Sequence, residues 1–244
     1  MGISYEVKKG IILAAGDGSR LGYQTADYPK VLLSAGGKGL VNYAIEALAA
    51  AGIREVAIVT GYLSDKVKAV LGSGDDFGVR LHYIFNPDYL GGNAFSLYQA
   101  KEWTEGDPVV LCMGDHMVEP NITGRLLDRQ TINDVLCVDY APAGHHCIDE
   151  ATKVNIDDGG GIREIGKDIV DWNALDTGVF LLTGNFFATM DELVPRLGID
   201  IEINDVIRFF IRRGNHFYTC DVSGCFWVDV DTEQDLRNAV GELG

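Results

Sequence analysis

The sequence predicts an α/β fold in which a mostly parallel, mixed central sheet carries helices on both faces. In the first half, apolar runs such as Gly10–Ala14 and Glu55–Thr60 alternate with segments of helical spacing. This alternation is typical of βαβ units, whose parallel strands are buried on both faces. In the second half, the runs 151–156 and 162–165 flank the turn signal 157–161, which indicates a hairpin and therefore antiparallel strands.

The first half supplies a regular series of elements, and Gly52 marks the end of its first helix. We expect strands at Gly10–Ala14, Glu55–Thr60, Arg80–Phe85 and Pro108–Met113, and helices at Val41–Ala51, Ser64–Leu71 and Ala94–Trp103. Parallel sheets bind ligands outside the carboxyl ends of their strands. The turns after the first and last of these strands should therefore share one crevice.

The second half alternates less regularly. We expect strands at Asp134–Tyr140, Ala151–Ile156, Ile162–Ile165, Ala174–Thr183, His216–Asp221 and Phe226–Val230, and helices at Asn185–Leu193, Ile203–Arg213 and Glu233–Val240. Thr232 is placed to cap the last helix. No Pro- or Ser-rich linker, repeat or low-complexity tract divides the chain, so we expect residues 1–244 to form a single domain.

Charge and composition exclude several functions. The 244 residues carry a net charge of −16, which repels nucleic acid and anionic membrane surfaces. There is no membrane-length apolar run and no signal-peptide core, and the five cysteines form no Cys-x-x-Cys pair. We therefore expect a cytoplasmic protein with reduced thiols, without nucleic-acid binding or direct membrane insertion. Residues 1–40 carry five basic and three acidic residues, so a locally positive anion site is expected there.

A glycine-rich turn follows the first strand and carries the strongest functional signal. Gly16 and Gly18 let the main chain approach a ligand, and Arg20 and Lys30 add two cations. Leu21 occupies the third glycine position of a dinucleotide fingerprint, and no Gly-Lys-Ser/Thr follows as in a P-loop. The pattern instead indicates a nucleoside triphosphate held for attack at phosphorus, with Arg20 and Lys30 as the candidate catalytic residues that stabilise charge.

The turn resembles the signature of sugar-phosphate nucleotidyltransferases, L-A-A-G-x-G-x-R followed by P-K, which this chain matches at Leu13, Ala14, Ala15, Gly16, Gly18, Arg20, Pro29 and Lys30. Later segments make nearly the whole chain similar to CTP:inositol-1-phosphate cytidylyltransferases: Gly114-Asp115-His116, 150–153, 165–167, 176–178 and 227–232. The chain departs from the family in a longer loop at 22–28 and in Val31, where a second proline is common. The resemblance implies a Rossmann-like three-layer nucleotidyltransferase fold, with a nucleotide-binding half (1–120) and an acceptor-binding half (121–244).

Three aspartates are candidate Mg²⁺ ligands. Asp115 follows a strand, and Asp229 and Asp231 alternate if the last strand runs from Phe226 to Asp231, so only one of them faces Asp115 if that strand is regular. Mg²⁺ prefers a few carboxylates together with water and substrate phosphates. The resemblance implies that Asp115 and one aspartate of the Asp-x-Asp-Thr segment hold the metal. We favour Asp231, which directly precedes Thr232, and Asp229 stays open.

The resemblance also implies the substrate contacts. Nucleotide contacts are expected from Leu13, Ala14, Ala15, Gly16, Asp17, Gly18 and Asp115, and base contacts from Gly92, Asn93 and Ser96. Asn93 is equally suited to be a helix N-cap, and His116 to bind ribose or phosphate or simply to pack. Lys153 and Lys167 are expected on the acceptor phosphate. Asp176 and Glu150 are expected on polyol hydroxyls, with a surface salt bridge as the alternative for Glu150.

The resemblance implies Mg²⁺-dependent transfer of CMP from CTP to inositol 1-phosphate by in-line attack, giving CDP-inositol and pyrophosphate. The alternatives are an acceptor such as phosphocholine or a hexose 1-phosphate on the same fold, or a nucleotide-sensing module without catalysis. The family often carries a fused membrane enzyme. A separate partner that uses the CDP-linked product is therefore left open, as is the oligomeric state.

Overall fold

The protein is built around one twisted sheet, seen here in a computed structural model that describes residues 6–129, 131, 133–143 and 148–242. Its strands are β1 (Lys9–Ala14), β2 (Ser34–Ala35), β3 (Lys38–Gly39), β4 (Glu55–Thr60), β5 (Arg80–Phe85), β6 (Val109–Met113), β7 (His116–Val118), β8 (Val135–Asp139), β9 (Lys153–Ile156), β10 (Ile162–Gly166), β11 (Ala174–Leu182), β12 (Tyr218–Asp221) and β13 (Trp227–Asp229). Its helices are α1 (Leu40–Ala50), α2 (Ser64–Leu71), α3 (Asn93–Gln99), α4 (Lys101–Thr104), α5 (Pro120–Asp128), α6 (Gly184–Leu197), α7 (Ile203–Arg212) and α8 (Glu233–Glu242).

The first half forms the parallel part of the sheet. β1 pairs in parallel with β4 on one side and β6 on the other, and β4 pairs in parallel with β5. Ile11 and Ile12 are both fully buried but belong to core clusters on opposite faces, as expected for a strand covered by helices on both sides. The Gly114 amide donates to the Leu13 carbonyl at 2.9 Å, so the turns after β1 and β6 leave the sheet at the same edge.

One long strand joins the two halves. β11 pairs antiparallel with β8 along one edge and with β6 and β9 along the other. β8 also pairs in parallel with β12, and β9 pairs antiparallel with β10. The sheet of nine strands in the described residues therefore continues without a break from β5 to β10. The expected boundary between the halves, after residue 120, falls at the first residue of α5.

The predicted mixed α/β sheet is confirmed, and most predicted elements are present within one to three residues of their expected ends. The expected helix 94–103 is divided at Ala100 into α3 and α4. Sequence reasoning did not find α5 or β7, which pairs with β13. The expected Thr232 cap is present, because its hydroxyl accepts from the Asp235 amide at 3.2 Å while the Asp235 carboxylate accepts from the Thr232 amide.

The described cysteines, Cys112, Cys137, Cys220 and Cys225, are buried free thiols, while Cys147 lies outside the described residues. In the part of the chain that the structure describes, no helix has both the length and the apolarity that a bilayer crossing requires.

Candidate active site

A cavity of about 630 Å³ opens at the carboxyl ends of β1 and β6 and extends beneath the second half of the chain. The residues singled out from the sequence that line it are Leu13, Gly16, Arg20, Asn93, Ser96, Asp115, His116, Glu150, Lys167, Asp176, Asp229 and Asp231. Ala14, Ala15, Asp17, Gly18, Lys30, Gly92 and Lys153 lie outside this lining. The two turns at the sheet edge therefore do share one crevice.

The glycine turn is shaped by two different requirements. Gly18 has φ +65°, and a Cβ there would lie 2.7 Å from Cβ of Lys30, so glycine is needed for close packing against that lysine. A Cβ at Gly16 would meet no atom within 4 Å, so Gly16 faces open cavity. The Asp17 carboxylate accepts from the Ser19 amide at 3.0 Å, which gives Asp17 a turn-forming contact.

Two cations and two carboxylates form a continuous chain at the cavity floor. The Lys30 ammonium donates to Asp115 Oδ2 and to Asp231 Oδ1, both at 2.7 Å, and Arg20 Nη2 lies 2.7 Å from Asp231 Oδ2. Lys30 is buried in a 3-10 turn after Pro29. Burial by itself would lower the pKa of Lys30, but Asp115, Asp231 and Asp229 outweigh it and raise that pKa well above its ordinary value. Lys30 therefore stays charged at any physiological pH.

Asp115, His116 and Asp229 form a second cluster beside this chain, with one ligand atom of each within 4.8 Å of the others. The His116 Nδ1 lies 3.0 Å from the Thr177 carbonyl, which requires an N–H there, and Nε2 lies 3.4 Å from Asp229 Oδ1. Burial would lower the pKa of His116, yet Asp229 and Asp115 raise it to about 10. Burial would raise the pKa of Asp229, but the nearby cations, His116 first, bring it far below its usual range.

The sequence favours Asp231 as metal ligand, whereas the arrangement of the side chains favours Asp229. β13 ends at Asp229, so strand alternation does not extend to Asp231 and both carboxylates reach the cavity. Asp231 is engaged through both oxygens, by Lys30 and by Arg20, whereas Asp115 bonds Lys30 through one oxygen and Asp229 lies beside it next to His116. Two carboxylates with space in front of them suit Mg²⁺, which keeps water and substrate oxygens as its other ligands. Asp115 and Asp229 are therefore the better-placed pair.

The side of the cavity where the sequence predicts nucleotide contacts is fixed by contacts between α3 and α7. Asn93 is the first residue of α3 rather than its N-cap, so the N-cap interpretation is wrong. The backbone amide of Asn93 donates to Glu202 Oε2 at 3.0 Å, and its side-chain Oδ1 accepts from the Ile203 backbone amide at 2.7 Å. A Cβ at Gly92 would lie 2.1 Å from the Ile201 carbonyl oxygen, which explains the glycine by close backbone approach.

The side of the cavity where the sequence predicts acceptor contacts contains a cation, Arg208, that sequence reasoning missed. Arg208 of α7 lines the cavity with Lys167, and its guanidinium donates to the Ile165 carbonyl and to Asp205. The sequence signal that could have indicated this residue is a basic side chain flanked by the apolar Ile207 and Phe209 within a predicted helix. Lys153 instead donates to the Lys167 carbonyl at 2.6 Å, so its ammonium supports the strand end rather than facing the cavity.

The remaining acceptor candidates are both in place but differ in environment. Burial raises the pKa of Asp176 to about 6, although the Gly178 amide, donating at 2.7 Å, opposes the shift. Glu150 is exposed and lies 3.7 Å from Arg20, which is the salt bridge that the sequence left as its alternative.

The expected positive island is not found. Lys8, Lys9 and Lys38 pair with acidic residues away from the cavity. Among the described residues, the arginines and lysines that line the cavity are Arg20, Lys167 and Arg208. The carboxylates that line it number seven: Asp115, Glu150, Asp168, Asp176, Glu202, Asp229 and Asp231. A triphosphate can enter such a cavity only with cations that offset this charge.

Comparison with known proteins gives consistent matches. The profile of the MobA-like NTP transferase domain matches residues 10–154. The chain is 33% identical over 231 residues to the "Bifunctional IPC transferase and DIPP synthase" of Rubrobacter xylanophilus, a match covering 93% of this chain and 50% of that relative, so it spans about half the relative's length. It is 28% identical to a "Glucose-1-phosphate thymidylyltransferase" of Actinoplanes, over 95% and 77% of the two chains. Among solved structures, the inositol-1-phosphate CTP transferase from T. maritima superposes with a TM-score of 0.87 at 27% identity, over 97% and 94% of the chains.

Proposed function

Because the chain belongs to the family of MobA-like NTP transferase domains, we propose that it transfers the cytidylyl group of CTP to inositol 1-phosphate and releases pyrophosphate. The observation that carries this proposal is the joining of Arg20, Lys30, Asp115 and Asp231 within hydrogen-bond distance at one cavity floor. The proposed substrates are those in the name of the solved relative with a TM-score of 0.87.

The proposed reaction needs positioning and charge neutralisation more than covalent chemistry. A phosphate oxygen of the acceptor attacks the α-phosphorus in line, and the bond from that phosphorus to the oxygen that bridges the α- and β-phosphorus breaks, so that pyrophosphate leaves with that oxygen. The acceptor phosphate is already ionised at pH 7, so no general base is required. Arg20 and Lys30 are the proposed stabilisers of the charge that develops on the leaving group, and loss of either would remove a donor worth ~3–4 kcal/mol.

Asp115 and Asp229 are the proposed holders of a divalent cation, for which Mg²⁺ is the expected metal. When bound, this ion would neutralise part of the negative charge of the triphosphate, which the carboxylates of the cavity would otherwise repel. His116, fixed by the Thr177 carbonyl, orients Asp229. Lys167 and Arg208 face the same space from the second half and are the proposed contacts for the acceptor phosphate.

The test is a matrix of nucleotides and acceptors. Pyrophosphate release is measured with CTP, UTP, ATP and GTP, each with Mg²⁺ and with inositol 1-phosphate, glucose 1-phosphate or phosphocholine. The expected result is turnover with CTP and inositol 1-phosphate well above every other pair. Turnover confined to another acceptor would contradict the proposal.

A hexose 1-phosphate acceptor is the second candidate, since a thymidylyltransferase for glucose 1-phosphate also matches most of the chain. Phosphocholine is less well supported. A choline cage needs aromatic faces around the cation, but Trp172 packs against the core and Tyr140 does not line the cavity.

A sensing module without catalysis would show nucleotide binding but no turnover. Asp115→Asn and Lys30→Ala should then leave the measured behaviour of the protein unchanged except for affinity. If the wild type turns over and both variants lose turnover while remaining folded, the sensing alternative is excluded.

A further inference from the structure

We infer that Asn86, a fully buried residue outside the cavity lining, sets the base preference of the nucleotide site by fixing the direction of the Ser96 hydroxyl. This inference rests on the proposed function, because it assumes that the base of the nucleotide lies beside Asn93 and Ser96. It adds to that function a positioning residue and a physical reason for choosing cytosine over uracil or thymine.

The orientation of the Asn86 amide is dictated by the backbone. Its Oδ1 accepts from the Asp88 amide at 3.0 Å, and only the oxygen of an amide side chain can accept from an N–H. The Nδ2 group must therefore face Ser96, whose Oγ it reaches at 3.0 Å. Because Asn86 is fully buried, neither contact can be exchanged for water without cost.

This contact leaves Ser96 prepared to donate. Its Oγ already accepts from Asn86 Nδ2, and the described residues provide no acceptor for its hydroxyl hydrogen. Ser96 lines the cavity, so the hydrogen is available to a ligand there. The Asn86 Nδ2 group occupies one of the two lone pairs of Ser96 Oγ and cannot accept in return, so the hydroxyl hydrogen must point away from Asn86, and the cavity is the side on which an acceptor can meet it.

A backbone amide of the second half of the chain orients the Asn93 side chain so that it, too, presents a hydrogen-bond donor. Its Oδ1 accepts from the Ile203 amide at the start of α7, which turns its Nδ2 group away from that helix. The described residues offer this Nδ2 no acceptor, and Asn93 lines the cavity. Two neighbouring side chains thus present donors, and each is oriented by a separate backbone N–H.

A pair of donors discriminates between pyrimidines. Cytosine carries acceptors at both O2 and N3, whereas uracil and thymine carry an N–H donor at N3. A donor placed against that N–H leaves both groups without a partner in a desolvated site, which is costly. The arrangement therefore favours CTP over UTP and dTTP.

Asn86→Asp tests the inference because it replaces the donor that faces Ser96 Oγ by an acceptor. An aspartate keeps the contact to the Asp88 amide, but its second oxygen accepts from the Ser96 hydroxyl and turns that hydrogen away from the cavity. We expect the ratio of kcat/KM for CTP to that for UTP to fall about tenfold, which is the effect of one mispaired hydrogen bond. The Kd values for CTP and UTP, measured by calorimetry with Mg²⁺ and without acceptor, should move in the same sense.

The double variant makes the effect specific to the hydroxyl. In a Ser96→Ala background, Asn86→Asp should leave the CTP to UTP ratio unchanged, because the group through which Asn86 acts is absent. Asn173→Asp is the matched control, since the Asn173 amide also bonds backbone at both ends, to the Ile156 amide and carbonyl, but lies away from the cavity. It should retain the wild-type ratio.

Asn93→Asp keeps the test decisive if Asn86→Asp does not fold. It preserves the contact with the Ile203 amide and replaces the exposed donor by an acceptor, so the CTP to UTP ratio should again fall. A wild type that uses CTP, with an unchanged ratio in the variants that fold, would overturn this inference alone. A wild type inactive with CTP and every acceptor would instead overturn the proposed function.

Discussion

Lys30 is the single side chain on which the electrostatics of the cavity depend most, because it bonds Asp115 and Asp231 while buried. Lys30→Met keeps most of the volume but removes the charge. We expect kcat/KM to fall about 10²- to 10³-fold, as for loss of one well-aimed donor. Initial rates of pyrophosphate release measure this, with circular dichroism to verify folding.

Lys38→Met is the matched control for that substitution. Lys38 pairs with Glu46 outside the cavity, so its loss should leave the rate within about twofold, the scale of an exposed ion pair. Equal losses in the two variants would contradict the role assigned to Lys30.

Asp229 and Asp231 should respond differently to amide substitution. Asp229→Asn should raise the Mg²⁺ concentration for half-maximal rate by about 10-fold or more, since loss of even a supporting partner of a metal typically costs that much. Asp231→Asn should lower kcat with little change in the Mg²⁺ requirement, because Asp231 holds Arg20 and Lys30.

Rates across a Mg²⁺ titration separate the two effects, and Mn²⁺ binding followed by electron paramagnetic resonance without nucleotide checks them independently of turnover. Weaker Mn²⁺ binding in Asp231→Asn than in Asp229→Asn would reverse the assignment of the metal ligands.

At the scale of elements, Asp134 ties the start of β8 to the end of β11 by accepting from the Thr183 amide at 2.6 Å. Burial raises its pKa from 3.8 to about 6, against the effect of these hydrogen bonds. The folded state therefore binds this proton more tightly than the unfolded state, and stability falls as pH rises from about 4 to 6. The full penalty, ~3 kcal/mol for a shift of this size, is present above pH 6.

Asp134→Asn should remove this penalty. We expect its free energy of unfolding to exceed that of the wild type by ~1–3 kcal/mol at pH 7.5 and by much less at pH 4, measured by urea denaturation. Asp171→Asn on an exposed loop controls for the loss of one negative charge. A gain of equal size at both pH values would show that Asp134 does not titrate as described.

Alanine substitutions at Gly16, in the turn after β1, and at Gly92, directly before α3, should have separate effects on turnover and on stability. Gly16→Ala places its methyl group in open cavity, so it should reduce turnover by ~10²-fold, the scale of a misplaced substrate, without lowering Tm. Gly92→Ala would force Cβ to within 2.1 Å of the Ile201 carbonyl and should cost more than about 2 kcal/mol of stability.

Thermal unfolding and initial rates on the two glycine variants give the comparison directly. An unstable Gly16→Ala protein would mean that the glycine serves the fold of the turn rather than the approach of a ligand.

The elements that could be predicted from sequence are those with a strong local pattern. The buried strands β1 and β4, the edge strand β5 and the helix α2 have continuous or periodic apolar residues, and their sequence-predicted ends agree with the structure to within a residue. The helix α5 was missed because Gly124 and several polar residues weaken its pattern. Its position depends on burying Ile122 and Leu126 against the rest of the core, which no local signal reveals.

The site could be predicted as a set of residues but not as a set of contacts. Arg20, Lys30, Asp115 and Asp231 are marked by motif and strand position, and they meet. The engagement of Asp231 by two cations, and of Asn93 by the start of α7, depends on residues more than a hundred positions away. Arg208 belongs to the same class, since helical periodicity does not say which cavity a helix borders.

At the scale of the whole molecule, the net charge of −16 continues into the cavity, where the described lining has seven carboxylates against three arginine and lysine side chains and His116. We therefore expect CTP binding to depend on a divalent cation. Its Kd should be at least ~10²-fold weaker in EDTA than with Mg²⁺, because the triphosphate would otherwise meet uncompensated negative charge.

Calorimetric titration of CTP measures this, with NaCl added so that ionic strength is equal in both buffers. Binding of similar strength in EDTA would show that Arg20, Lys30, Lys167 and Arg208 suffice to hold the nucleotide.

The pairing of β11 with β6 and of β13 with β7 has a mechanical consequence. A hinge between the two substrate-binding halves would have to break these main-chain ladders, which join one half to the other, so the halves cannot separate as rigid bodies. The separation between donor and acceptor is thereby built into the scaffold before either arrives. Whatever opening and shutting accompanies a catalytic cycle must be confined to surface loops, and its speed should track the sequences of those loops rather than the stiffness of the sheet.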